Sequence, residues 1–269
     1  MDVIEQVNGW RQRYAAWKSK QRAAPPESLD GYPFVENTRA PFTPLRRSLS
    51  MLNLALISSA GAYIDGTDPF DTSSPDGDLT FREIPTEIDP SDLLFSARGY
   101  DAAVVHQDVN VQVPLQRLLE FQSNQVIGQL NSAFWSFCGF IPDAESLVKV
   151  TLPKLVDRLK HYEVQAALLI PASLLCHQSV ALAARAIEQA GIPTMMLSVE
   201  RDVIQMAHSP RAGFYRGQFG SVVGPANWPE HQRRVLDEAL RWIESASQPG
   251  MNKLGVELES QVEAARGER

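Results

Sequence analysis

The sequence predicts an α/β fold with mainly parallel sheets, arranged as two Rossmann-like halves behind an N-terminal helix and an extended arm. Three observations carry that expectation. Short apolar-rich runs recur at 52–58, 166–170 and 194–199, as expected of strands buried on both faces. Longer stretches with apolar residues three and four apart cover 144–161, 180–190 and 232–245. Strand, helix and strand then follow one another through 166–199, and a parallel pair needs a crossover of that kind.

Taken in order, 2–20 reads as a helix, because Val3, Ile4, Val7, Trp10, Tyr14 and Trp17 share one face. The segment 24–44 is too rich in proline for a helix or a central strand, so an extended arm is expected. A first buried strand at 52–58 ends in Ser58, Ser59, Ala60 and Gly61. An acidic loop, 65–78, holds five aspartates. A second short strand is expected at 102–105 and the start of a helix at 115–120. The helix at 144–161, the strand at 166–170, a helix closed by Gly191 and the strand at 194–199 follow. The stretch 250–269 is charged and reads as a solvated helix or frayed tail. The expected divisions are 1–49 (helix and arm), 50–142 (first half), 143–248 (second half) and 249–269 (tail).

The chain has 269 residues, 44% hydrophobic and 21% charged, enough for a substantial core. Asp plus Glu outnumber Lys plus Arg by 32 to 25, a balance of −7 that argues against a nucleic-acid binder. No apolar run approaches the length of a membrane span. The acidic amino terminus lacks the basic end and apolar stretch of a signal peptide. Cys138 and Cys176 make no disulfide framework, and a reduced, cytoplasmic protein is the expectation. There is no phosphate-binding P-loop, zinc signature, nucleophile elbow, dinucleotide glycine fingerprint or calcium loop, so no metal and no cofactor is expected.

Ligands of α/β sheets bind beyond the carboxyl ends of the strands. Three polar clusters fall there: Ser58, Ser59 and Gly61; His106, Asp108 and Asn110; and Ser173, Cys176, His177, Gln178 and Ser179. Cys176 sits after a strand and in the first turn of a helix, where unpaired N–H groups and the helix dipole favour a thiolate. It is the candidate nucleophile, with His177 and Asp108 as candidate proton carriers and the other residues as substrate contacts. Plainer roles compete. Ser173 is well suited to cap the helix, His177 does not share a helix face with Cys176, and Asp108 and Asn110 are common turn residues. Cys138, among Phe134, Trp135, Phe137 and Phe140, suits a packed core. Arg82 and Glu83 fit either a surface ion pair or, through Arg82, a hold on a substrate carboxylate. Pro210, Arg211 and glycines 213, 217, 220 and 224 suit either a loop whose backbone approaches a ligand or one that is simply flexible.

Several motifs occur together in order: Ala40-Pro-Phe-Thr-Pro-Leu-Arg46, Asp78-Leu-Thr-Phe-Arg-Glu-Ile-Pro85, Asp108-Val-Asn-Val-Gln-Val-Pro-Leu-Gln-Arg117, Cys176-His-Gln-Ser-Val180 and Gly191-Ile-Pro-Thr194. Over roughly 30–245 the chain resembles the glycine/sarcosine/betaine/D-proline reductase family, specifically its selenoprotein-B-like members that carry cysteine. The resemblance implies an enzyme in which a selenol or thiol attacks beside an amino group and cleaves a carbon–nitrogen bond, with a second thiol closing the redox cycle. Relatives carry C-x-x-C here, whereas this chain has Ser173-Leu-Leu-Cys176. It also has Ala97 where many relatives place a histidine. Serine cannot form the local disulfide, so Cys138 or an external thiol donor takes over, or the chemistry becomes redox-neutral cleavage of a C–N or C–S bond. The expected partner is a small polar substrate. Homo-oligomer formation and a non-catalytic role as a complex subunit are the open alternatives.

Overall fold

The computed structural model describes residues 2–21 and 28–256. The parts of the expected arm at 24–27 and of the expected tail at 257–269 lie outside these. In chain order the elements are α1 (Val7–Lys18), β1 (Asn53–Ser58), β2 (Ala62–Ile64), β3 (Arg82–Pro85), β4 (Leu93–Phe95), α2 (Ala103–Gln107), α3 (Leu115–Ser123), β5 (Gln129–Leu130) and β6 (Ala133–Ser136). Then follow α4 (Ala144–Ser146), α5 (Leu152–His161), β7 (Ala166–Ile170), α6 (Leu174–Gln189), β8 (Thr194–Ser198), α7 (Asp202–Ala207), β9 (Arg211–Phe214), α8 (Pro229–Ser245) and β10 (Gly250–Lys253).

Among the described residues, eight strands make one sheet in the order β10-β9-β8-β7-β1-β6-β3, with β5 also paired to β1. All pairings are parallel except that of β3, which runs antiparallel to β6 along one edge. The α/β class and the N-terminal helix are therefore as expected. Two separate halves are not resolved, because strands from both sides of residue 143 hydrogen-bond into the same sheet. A small antiparallel pair, β2 with β4, stands apart.

The central strand β1 shows why the fold holds. Leu54 and Leu56 face one layer, with Leu118 and Phe121 of α3 and Val235, Leu236 and Leu240 of α8 in the same core. Ala55 and Ile57 face the other, shared with Leu155 of α5, Val180 and Ile187 of α6 and Trp10 of α1. Alternate residues of a strand point to opposite faces, so a strand covered on both sides must be apolar throughout. Each such leucine or isoleucine contributes roughly 1.5–3 kcal/mol relative to exposure.

Three local expectations are corrected. The segment read as a strand at 102–105 falls in α2, a short helix preceded by Asp101, whose carboxylate accepts from the Ala103 N–H at 2.9 Å. A brief apolar run has no period to separate helix from strand, and this one has no neighbouring strand to pair with. The start of the stretch read as a solvated tail is β10, whose partner β9 lies far away in sequence. The helix expected over 144–161 is interrupted by a π turn at Leu147–Thr151 just before Pro153, which has no N–H to continue the ladder.

Candidate active site

The chain leaves β1 towards β6 on one side, and β7, on the other side of β1, leads through α6 to β8. The carboxyl ends of β1 and β7 therefore lie at the switch point of strand order, the position at which α/β sheets bind ligands. Two turns meet there. The Ser59 N–H donates to Ile170 O at 3.0 Å, and the Ala172 N–H donates to Ser59 Oγ at 3.0 Å. A third turn, after β6, joins them through Gly139 N–H to Ser59 O at 3.0 Å.

Cys176 lies in the first turn of α6 and is only 1% exposed. Ser173 caps the helix: its Oγ accepts from the Cys176 N–H at 3.3 Å, and its hydroxyl is 3.0 Å from Cys176 Sγ, to which it donates. The thiol in turn points at Ser59 O, 3.8 Å away. Capping and contact with the sulfur are thus one geometry. Gly139 makes room for it, because a Cβ there would stand 2.5 Å from Ser59 Cβ and 3.0 Å from Cys176 Sγ.

Cys138 belongs to the same cluster. It bridges to Ala60, its sulfur lies 3.6 Å from Ser96 O, and it is 3% exposed. Burial, with the nearby Cys176 thiol adding to it, pushes Cys138 up to about 12. Cys138 is thus a neutral thiol. Tyr100 donates to Ala60 O at 2.6 Å, and burial raises its phenol. Arg98 stacks on Phe140 at 4.3 Å and donates through Nη1 to Ser74 O at 2.8 Å. Among the described residues its buried Nη2 has no partner, and burial draws the guanidinium below its ordinary value. A cleft of about 350 Å³, lined by Asp30, Gly99, Phe140 and Ser173 among others, opens beside this cluster. Arg98 and Tyr100 do not stand out in the sequence. Their only signal was position, in a loop after an edge strand that pattern did not detect.

The other candidate residues have engagements of their own. His177 is fully buried. Its Nδ1 lies 2.6 Å from Ser173 O and its Nε2 accepts from the Val199 N–H at 3.3 Å. These partners require the neutral Nδ1–H tautomer, and burial lowers the ring to about 4. Both nitrogens are taken, so the ring ties α6 to the end of β8. Gln178 holds the arm, accepting from the Val35 N–H at 2.7 Å and donating to the Tyr32 hydroxyl at 2.9 Å. Ser179 Oγ is buried without a partner. Ser58 Oγ accepts from the Ala60 N–H at 3.3 Å, and Gly61, at φ +71°, leaves no space for a side chain beside Ser96 O.

Asp108 accepts from the Asn110 and Asn227 N–H groups, both at 3.0 Å, and from Gln232 at 2.7 Å, pinning a loop to α8. Hydrogen bonds within that turn occupy Asn110, and His106 is exposed against Phe95. Arg82 lies over the Phe70 ring at 4.2 Å, while Glu83 pairs with Arg158 at 2.9 Å. Among the described residues, no hydrogen bond or ion pair links these five side chains to the cysteine cluster. The glycine loop does approach it: Gly220 N–H donates to Ala172 O at 2.8 Å, and Phe219 lies edge-on to His177.

No family model matches the sequence, and no solved structure matches it. Curated proteins do. D-proline reductase subunit gamma of Acetoanaerobium sticklandii is 29% identical over 202 residues, covering 75% of this chain and 82% of that protein. This chain is a distant relative of such reductase subunits. Glycine reductase complex component B subunit gamma of Symbiobacterium thermophilum is 26% identical over 175 residues, 61% of this chain. Sarcosine reductase complex component B subunit beta of Peptoclostridium acidaminophilum is 27% identical over 175 residues, 62% of this chain. The match spans only 38% of each of these two longer reductase subunits.

Proposed function

We propose that this protein is a cysteine-dependent enzyme that cleaves a C–N or C–S bond in a small molecule bearing a carboxylate or amide. The observation that carries the reading is the setting of the Cys176 sulfur, in a switch-point crevice with the Ser173 hydroxyl directed at it. Cys176 attacks carbon and forms an S–C bond, and the leaving nitrogen or sulfur departs with a proton. Water then replaces the cysteine sulfur. Substrate plus water becomes an alcohol plus an amine or thiol, and no electrons are consumed. Arg98 Nη2 is the donor for the substrate carboxylate, and Ser173 takes the place of the missing first thiol.

A second reading keeps the electron-consuming chemistry named in the reductase relatives, with Cys138 as the distant thiol. Its place beside Cys176 favours it: Cys138 bridges to Ala60, the residue after Ser59, whose carbonyl the Cys176 sulfur faces. The relatives are all named as subunits, so assembly with further chains belongs to either reading. The test incubates the reduced protein with D-proline, glycine, sarcosine and related small acids, without any reductant. Turnover with a transient adduct on Cys176 by mass spectrometry supports the redox-neutral reading. Consumption of one dithiol per product selects the second. Absence of both turnover and adduct, with and without dithiol, overturns both.

A further inference from the structure

A larger cleft, about 730 Å³, lies along α7 at the edge of the sheet, and it shares no lining residue with the crevice at Cys176. Its floor is apolar: Ile204 of α7, Ala212 of β9 and Met251 of β10. Its rim carries Arg39 from the extended arm, Arg201 before α7 and His208 after it, all exposed. Among the described residues, neither the Arg39 nor the Arg201 guanidinium has an ion-pair or hydrogen-bond partner, and no Asp or Glu lines the cleft. The protein as a whole is acidic, at −7, so two unpaired arginines over an apolar floor depart from its general surface.

The arm and α7 are also held firmly in place. Arg185, fully buried, donates to Val3 O at 2.9 Å, to Arg39 O at 2.5 Å and to His208 O at 3.0 Å. The backbone of both rim segments is thereby fixed to one side chain of α6, while the Arg39 side chain stays free. The volume falls within the range of small-molecule sites, in which an apolar lining supplies affinity and a few polar groups supply orientation. An exposed guanidinium binds a carboxylate, sulfonate or phosphate through paired N–H donors.

We propose that this cleft is a second binding site, for a small organic anion with an apolar body, whose charged head is held by Arg39 and Arg201 and whose body covers Ile204, Ala212 and Met251. The proposal is independent of the chemistry at Cys176. The probe is octanoate, titrated calorimetrically into the full chain, with octylamine and acetate as comparators. Expected is one octanoate bound per chain, weakened about tenfold by Arg39→Gln or Arg201→Gln and lost in Ala40→Trp, which fills the rim. Neither comparator should compete. Circular dichroism and melting of the variants should match the parent. Octanoate binding that octylamine equals, or that the arginine variants leave unchanged, overturns the proposal. So does a dimer, seen by sedimentation, whose formation excludes the probe.

Discussion

Ser173 and Ser59 hold the Cys176 thiol from two sides, and Ser173 also caps the helix that carries it. Cys176→Ser should therefore abolish activity and adduct formation while leaving the melting temperature close to the parent. Arg98→Gln should lower kcat/KM about 10–100-fold, with the loss largest for substrates that carry a carboxylate. Cys138→Ala should cost about 1 kcal/mol through the small void it leaves. The Cys138 thiol is raised from near 9 to about 12 in the fold. The unfolded chain gives up that proton first, so stability falls as pH rises through this window, and Cys138→Ala should flatten the decline in urea titrations. His177 has the opposite sign. Its ring is lowered from 6.5 to about 4, so its contribution is complete above 6.5 and is lost as pH falls towards 4. The change is about 3 kcal/mol. His177→Gln should remove that part of the acid dependence.

At the scale of elements, α6 organises the molecule. Its first turn presents the cysteine, its middle anchors the amino-terminal segment through Arg185, and its last turn carries Glu188. Glu188 and Arg211 form an ion pair with both side chains fully buried. Glu188 also accepts from Thr194 and Thr43, and Arg211 donates to Thr194 O and lies over Phe42. Arm, helix and two strands meet in this pair. Removing one partner leaves a buried charge uncompensated, so Glu188→Gln or Arg211→Met alone should cost about 3–5 kcal/mol in denaturant unfolding. A Glu188→Leu/Arg211→Met double variant should recover much of that loss. In the sequence Arg211 fits a loop, either one that approaches a ligand or one that is simply flexible; the structure puts it in β9. Its neighbour in space, Glu188, comes from a different element, and no spacing along the chain announces that pairing.

For the whole molecule, the decisive feature is the sheet order. Because β1 and β7 are neighbours whose connections lead to opposite sides, turns at 58–61, 136–139 and 170–176 converge on one crevice. The N-terminal helix is part of the same body. Trp10 is 1% exposed, stacks on Tyr14 and donates through Nε1 to Pro33 O at 2.7 Å. Trp10→Ala should cost about 3–5 kcal/mol in a single unfolding transition, because its core is continuous with that under α5 and α6. Two separated transitions, with the second unaffected, would show that the helix is an appendage.

The α/β class and the positions of β1, β7, α6, β8 and α8 were legible in the sequence, because hydrophobic period and length report burial directly. So was the place of Cys176, since a strand followed by a capped helix puts its first-turn residue at the sheet's carboxyl edge. Only the tertiary structure decided the rest. It joined the strands into one sheet, made a short apolar run α2 and gave 250–253 a strand partner. It also gathered Cys138, Arg98 and Tyr100 around the crevice, while Asp108, Arg82 and Glu83 were bound to other partners. Local pattern records which face of an element meets the core. The contacts that build a site are made between elements distant along the chain, and those depend on strand order, which periodicity does not encode.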